Sequence, residues 1–173
     1  MEHRALHRAA FHTPGHKNNP AALPDDLLTL DFTELPDTDS LFEAEGPILR
    51  AEQAASRLFG TKRTLFSAGG CSLCIQAMLR LAAPNGGKIL CGRVVHRSAV
   101  NAMALLGLEP VWALPEELAD AVALHPDARA VYMTSPNYYG ELADIPAIAA
   151  ACREQGIPLL VDNAHGAHLF FTE

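Results

Sequence analysis

Beyond residue 60 the chain alternates between two hydrophobic rhythms. Short apolar runs at 64–66, 88–91, 110–112, 130–134 and 157–161 have the length of strands, and the segments at 72–81, 98–106, 116–124 and 146–155 read as helices. The strands recur roughly every 20–30 residues with a helix between them, the signature of βαβ units. Such crossovers are right-handed and cover both faces of a parallel sheet with helices. The predicted fold is therefore α/β, a three-layer αβα arrangement around a mainly parallel sheet. Helix punctuation agrees, since Pro146 suits a first turn and Gly156 suits the position just past a helix end. A further helix is predicted between Pro47 and Gly60, with Ile48, Ala51, Ala55 and Leu58 at helical spacing.

The first 45 residues lack this rhythm. They carry Pro14, Pro20, Pro24 and Pro36 among the acids Asp25, Asp26, Asp31, Glu34, Asp37 and Asp39. That composition favours an extended, turn-rich arm. Such an arm is either solvated or packs on a partner or site. The predicted organisation is an N-terminal arm over 1–45 and an α/β domain over 46–173, which the family resemblance given below implies to be part of a cofactor-binding large domain.

Composition narrows the function. The chain has 173 residues, 49% of them hydrophobic, with a formal net charge of −7. Mean hydropathy is +0.08 and the pI is near 5.6. Disorder is disfavoured, as is a surface for nucleic acid or anionic membrane. No apolar run approaches the ~20 residues of a membrane span, and residues 1–8 have no signal-type apolar core. The expectation is a cytoplasmic protein acting on a small molecule. Cys91 and Cys152 fall in predicted buried elements and read as small core residues. Cys71-Ser72-Leu73-Cys74 is a C-x-x-C at a helix start, with a redox role as the minor reading. It has no second ligand pair at zinc spacing.

Three loops carry candidate chemistry. Ser67-Ala68-Gly69-Gly70-Cys71-Ser72 joins a predicted strand to a helix. Glycines admit close backbone approach, and helix N-terminal amides favour an anion. The segment is neither a Walker A motif nor G-x-G-x-x-G, and it reads equally as a plain turn. Asp162 ends a buried apolar strand, so its carboxylate must be paired or hydrogen-bonded. A protonated heteroaromatic nitrogen is one partner, and a helix cap or structural pair is the other reading. Asp162, His165 and His168 have metal-ligand chemistry but no diagnostic spacing, and no metal is expected. His96 lies in the loop after the strand at 88–91, which opens on the same sheet edge as Asp162.

Several motifs together resemble the N-terminal half of the large domain of the bacterial Orn/Lys/Arg decarboxylases. These are pyridoxal-phosphate (PLP) enzymes of the aspartate-aminotransferase fold, fold type I. The resemblance is carried by Thr13-Pro14-Gly15-His16-Lys17, Asp31-Phe32-Thr33-Glu34-Leu35-Pro36, residues 46–60, Gln76-Ala77-Met78, Arg93-Val94-Val95-His96-Arg97-Ser98, Thr134-Ser135-Pro136-Asn137-Tyr138-Tyr139-Gly140 and residues 161–168. It implies that Asp162 holds the pyridine nitrogen protonated and His96 stacks on one ring face. It also implies that Ala164 touches the other face, His165 lies near the phenolic oxygen, and Gly70, Cys71 and Ser72 bind the phosphate. A protonated pyridine is the electron sink for the carbanion left when CO2 departs, and a buried carboxylate stabilises that charge.

Two motifs depart from the family's usual pattern. Gly69-Gly70-Cys71-Ser72 stands where Asn-Gly-Ser-Thr is usual, so a thiol replaces a hydroxyl donor, and Asn163 stands where glutamate is usual. The family's cofactor lysine lies in a Ser-x-His-Lys motif that is absent here, and the lysines are Lys17, Lys62 and Lys88. The chain is therefore expected to be a fragment, with the parent decarboxylating arginine, lysine or ornithine. The alternatives are another fold type I enzyme, an aminotransferase or lyase, or an inactive truncated scaffold that binds a partner. The resemblance further implies a homodimer. Asp37, Asp39 and Glu141 are candidates for the substrate's cationic end.

Overall fold

In the computed structural model, residue 9 and residues 11–17, 19–28 and 30–172 are described. Residues 1–8, placed above in the N-terminal arm and read as lacking a signal segment, lie outside them. The chain divides into two compact units, Met1–Phe66 and Ser67–Glu173. No helix among the described residues is long and apolar enough to cross a membrane.

The first unit holds a short helix α1 (Asp25–Leu28) and a longer α2 (Pro47–Phe59), with turns between. Helix α2 has the predicted punctuation, with Pro47 in its first turn and Gly60 capping it at φ 62°. Its entry is organised by Asp39, a non-glycine residue at φ 76°. One carboxylate oxygen of Asp39 accepts the N–H groups of Ser40 and Glu45 at 3.0 and 2.9 Å. The other accepts those of Gly46 and Ile48 at 2.8 and 2.9 Å. This side chain supplies the helix start with the acceptor that Gly46 cannot offer. The amide bonds, led by that of Glu45, lower the Asp39 carboxyl to about 2. Both oxygens are thus committed to backbone, which removes Asp39 from the candidates for substrate recognition.

Residues 64–66 do not form the predicted strand. A strand needs a ladder partner, and the Phe66 N–H instead donates to the buried Glu52 carboxylate at 2.9 Å.

The second unit is a four-stranded parallel sheet in the order β2 (Leu108–Ala113), β1 (Gly87–Gly92), β3 (Ala128–Thr134), β4 (Leu159–Asp162). It is entered through α3 (Gly70–Ala82) and β1 (Gly87–Gly92), followed by α4 (Arg97–Leu106) and β2 (Leu108–Ala113). A single 3₁₀ turn leads into α5 (Leu118–Leu124), then β3 (Ala128–Thr134), α6 (Ile145–Gln155) and β4 (Leu159–Asp162). Ile75 and Leu79 of α3 and Ala99, Ala102 and Met103 of α4 pack with Ile89, Cys91, Ala130 and Tyr132 on one sheet face. Leu118 and Val122 of α5 and Ile148 and Cys152 of α6 pack with Leu90, Val131 and Met133 on the other. From Ile89 and Ala130 onward, the alternation of odd and even strand residues between the two cores is the period-two rule of a doubly covered sheet, and Ala128 departs from it beside a register shift at Lys88/Ile89. Each fully buried leucine, such as Leu79 or Leu90, contributes about 1.5–3 kcal/mol. Cys91 and Cys152 are core residues, as their positions predicted.

Caps follow local chemistry. Asp144 accepts the Ala147 N–H at 3.0 Å to start α6, and Gly156 ends it at φ 72°. The β1–α4–β2 crossover runs toward one sheet edge with its helix on the first face. The crossovers through α5 and α6 run the other way with helices on the second face. Right-handedness requires this pairing of direction and face. The direction reverses between β1 and β3, where the carboxyl ends of the strands open a crevice.

Replacing Asp39 by asparagine should lower the unfolding midpoint at neutral pH. The folded carboxyl titrates below the ordinary aspartate value of 3.8, so its contribution is complete above that pH and is lost as pH falls toward about 2. Denaturant melts of both proteins should converge across that interval, and a gap that stays constant would count against the assignment.

Candidate active site

Asp162 is the last residue of β4 and is buried. Register sets its direction. Thr134 of β3 pairs with Asp162, and Tyr132 pairs with Leu160. Residues 132, 134, 160 and 162 therefore point to the α3/α4 face. One Asp162 oxygen accepts the Ala164 N–H at 3.1 Å, and the other accepts the Tyr132 hydroxyl at 3.3 Å. An ionised carboxylate has about four acceptor sites, so each oxygen keeps capacity for a further donor. Burial, and then the Asp162 charge, push the Tyr132 phenol above its ordinary range. Tyr132 stays a proton donor to the carboxylate.

The N-terminus of α3 opens on the same edge and face. Its far end leads into the start of β1, so this 13-residue helix, about 20 Å long, runs antiparallel to the strands and packs against β4. Gly69 at its N-cap makes no side-chain cap bond. The first-turn amides therefore lack the usual local acceptor. Gly70 has φ 64°, a left-handed conformation that glycine adopts without penalty. Gly70, Cys71 and Ser72 are all exposed.

His96 ends the loop after β1 and caps α4 with its own ring. Nδ1 accepts the Ser98 N–H at 3.2 Å and lies 2.7 Å from the Ser98 hydroxyl. With Nδ1 accepting, the neutral ring carries its proton on Nε2. The imidazole is exposed yet fixed at the strand–helix junction. Strand β3 separates β1 from β4, so the backbones carrying His96 and Asp162 are two strand spacings apart, roughly 10 Å.

Ala164 and His165 lie in the turn after β4. Gly166 closes that turn with its N–H on the Asn163 carbonyl at 3.0 Å. A β carbon at Gly166 would overlap Asn163 Oδ1 and Pro136 Cδ. His165 lines an open cleft of about 470 Å³ with Pro136, Asn137, Tyr138, His168 and Leu169. Within this loop Asn137 accepts the Tyr139 and Glu141 amides and donates to the Glu141 carboxylate at 2.6 Å. Among the described residues no group of three or more His, Cys, Asp or Glu side chains is placed to hold a metal ion, so Asp162, His165 and His168 do not converge.

Structure thus brings Asp162, Ala164 and the α3 N-terminus to one face and one edge. His96 stands across β3 at that edge, and His165 turns into the neighbouring cleft. Tyr132 was missed in the sequence, where it reads as an ordinary strand aromatic. The available signal was parity, because once 162 is assigned inward, a parallel neighbour at 132 shares its face.

The major-domain profile of the Orn/Lys/Arg decarboxylases matches residues 1–125. The chain belongs to that family. It is 34% identical to the uncharacterized protein YaaO of Bacillus subtilis, over all of this chain and 40% of that protein. It is 31% identical to an arginine decarboxylase of Halalkalibacterium halodurans, with the same coverage. The chain therefore spans about 40% of the length of these family members. Among solved structures, the Escherichia coli constitutive lysine decarboxylase superposes with a TM-score of 0.73 at 23% identity, covering 94% of this chain and 28% of that one. The pyridoxal-5'-phosphate-dependent protein YhfS of Escherichia coli superposes at 0.60 with 17% identity, covering 69% and 34%. Both establish the fold, the parallel-sheet core of the fold type I enzymes.

Two substitutions probe the local build. Tyr132→Phe keeps the packing but removes one donor to a buried carboxylate, so thermal unfolding should show a loss of about 1–3 kcal/mol. No loss would mean that Asp162 does not depend on the phenol. Gly166→Ala should cost about 1–3 kcal/mol by forced overlap, and a variant as stable as the parent chain would show that the 163–166 turn is not so close.

Proposed function

We propose that this chain forms the ring- and phosphate-binding part of a PLP-dependent decarboxylase acting on arginine, lysine or ornithine. The observation that carries the reading is the placement of buried Asp162 on the same face and edge as the uncapped start of α3. The donor set fits the cofactor. A carboxylate with spare acceptor capacity suits a protonated pyridine nitrogen, and free helix amides with Ser72 suit a dianionic phosphate. His96 is the candidate for one ring face and Ala164 for the other, with His165 near the ring's oxygen. When bound, PLP supplies an electron sink for the electrons released as CO2 leaves. Asp162 keeps a positive charge favourable beside it, Tyr132 and the Ala164 amide hold Asp162 in place, and the helix start orients the phosphate.

The covalent lysine has no counterpart at this edge within the sheet unit. Lys88 is the lysine of that unit, and it opens β1 at the opposite end, paired with Asp127 at 2.7 Å. Attachment to the residues of the sheet unit is therefore non-covalent. Membership of the decarboxylase family favours this reading over an aminotransferase.

Pyridoxamine 5'-phosphate tests the reading, because it lacks the aldehyde that reacts with surface lysines. Calorimetry should detect binding to the chain, weakened about tenfold or more by Asp162→Asn and to a similar degree when phosphate-free pyridoxamine is used. Absence of binding, or equal binding by the variant, would overturn it. For the protein that carries this chain, amine release from one of the three basic amino acids is the matching activity.

A further inference from the structure

The four thiols fall into two classes. Cys91 and Cys152 lie in the two sheet-face cores, where burial pushes Cys91 up to about 12 and raises Cys152 as well. Cys71 and Cys74 are exposed and stand three residues apart in the first two turns of α3. Side chains at that spacing share a helix face, with β carbons about 5–6 Å apart. A disulfide needs them at roughly 3.8 Å, with α carbons within about 4.4–6.8 Å. A small change in the first turn closes that gap.

The backbone before Cys71 can make this change. Gly70 sits at φ 64° with no atom within 4 Å of the place a β carbon would occupy. Gly69 before it is held only by Ser67, whose hydroxyl accepts its N–H at 3.3 Å, and by the Leu73 side chain packed on it. Two accessible thiols on one helix face thus adjoin Gly70, a glycine with open space around it.

We propose that Cys71 and Cys74 form a reversible intramolecular disulfide at the start of α3. The oxidant is a low-molecular-weight disulfide of the glutathione class. The thiolate of one cysteine attacks a sulfur of that disulfide, breaking its S–S bond and releasing one small thiol after protonation. The other cysteine's thiolate then attacks the protein sulfur of the mixed disulfide and releases the second small thiol. Two protein thiols lose two electrons and two protons, and one small disulfide becomes two thiols. The new bond draws the first turn out of helical geometry at the amides assigned above to phosphate. This consequence, unlike the disulfide itself, rests on the proposed function.

The test equilibrates the chain across reduced and oxidised glutathione, blocks free thiols by alkylation and maps tryptic peptides. Residues 64–80 lie between Arg63 and Arg80 and contain both cysteines. The expected product is this peptide lighter by two hydrogens, unalkylated, and restored by dithiothreitol. Glutathione adducts alone, disulfide-linked dimers alone, or full alkylation at oxidising poise would overturn the proposal. Cys74→Ser should instead accumulate a glutathione adduct on Cys71, and an adduct-free variant would count against accessible thiol chemistry there. Pyridoxamine 5'-phosphate supplies the second readout. Its affinity should fall about tenfold on oxidation, and equal affinity of the two forms would overturn the coupling to the phosphate cradle. If the reduced chain binds none of it, the cofactor reading fails, while the peptide masses still decide the disulfide.

Discussion

The site depends on one pairing, the β3–β4 register that sets Thr134 opposite Asp162. Side chains alternate faces along a strand, so a slip of one residue would turn Asp162 toward α5 and α6. There its carboxylate would meet the apolar core of Leu118, Val131 and Ile148. In the observed register it meets the Tyr132 hydroxyl and the Ala164 amide instead. A carboxylate so far from water costs several kcal/mol unless bonded. The same bonds that make burial tolerable also reward the correct register, so strand pairing and site assembly are one event.

Topology explains why the other groups arrive at the same edge. Helices in βαβ units run antiparallel to their strands, so every helix start lies near the strand carboxyl ends. Helix α3 and the His96-capped α4 share the first face, and both present their N-terminal ends there. The edge therefore gathers positive backbone potential opposite a buried negative side chain. An anionic ligand with a cationic ring satisfies both ends of that field. A wholly anionic or wholly cationic ligand satisfies only one.

Much of this was legible because it is periodic or local. Apolar runs and helical spacing located the four sheet strands and their helices, and Pro47, Gly60, Pro146 and Gly156 marked helix ends correctly. What escaped was neither periodic nor local. Asp39 reaches up to nine residues ahead to the Ile48 amide, and in the sequence it is one acid among many. Residues 64–66 have strand character, yet the Phe66 amide is taken by the side chain of Glu52, fourteen residues back. Tyr132 and Asp162 are thirty residues apart, joined only through sheet order. An apolar run ending on an acid located Asp162 and the resemblance gave it a role, but parity and register alone explain why its neighbour is a tyrosine hydroxyl.

Cofactor binding and covalent anchoring are separate physical problems, and on the proposed function the residues of this chain address the first. The electrostatic parts, a buried carboxylate and a helix start, need only the β4 register and the α3 entrance, both inside the Ser67–Glu173 unit. An amine for anchoring must stand at the same edge. Lys88 stands at the other, a six-residue strand away, which is roughly 20 Å. Its ammonium is already bonded to Asp127. No rotamer change moves a side chain along the length of its own strand. On the proposed reading, affinity for the ring and phosphate is encoded by this part of the fold independently of the lysine. The noncovalent cradle is therefore the property by which this chain is to be judged.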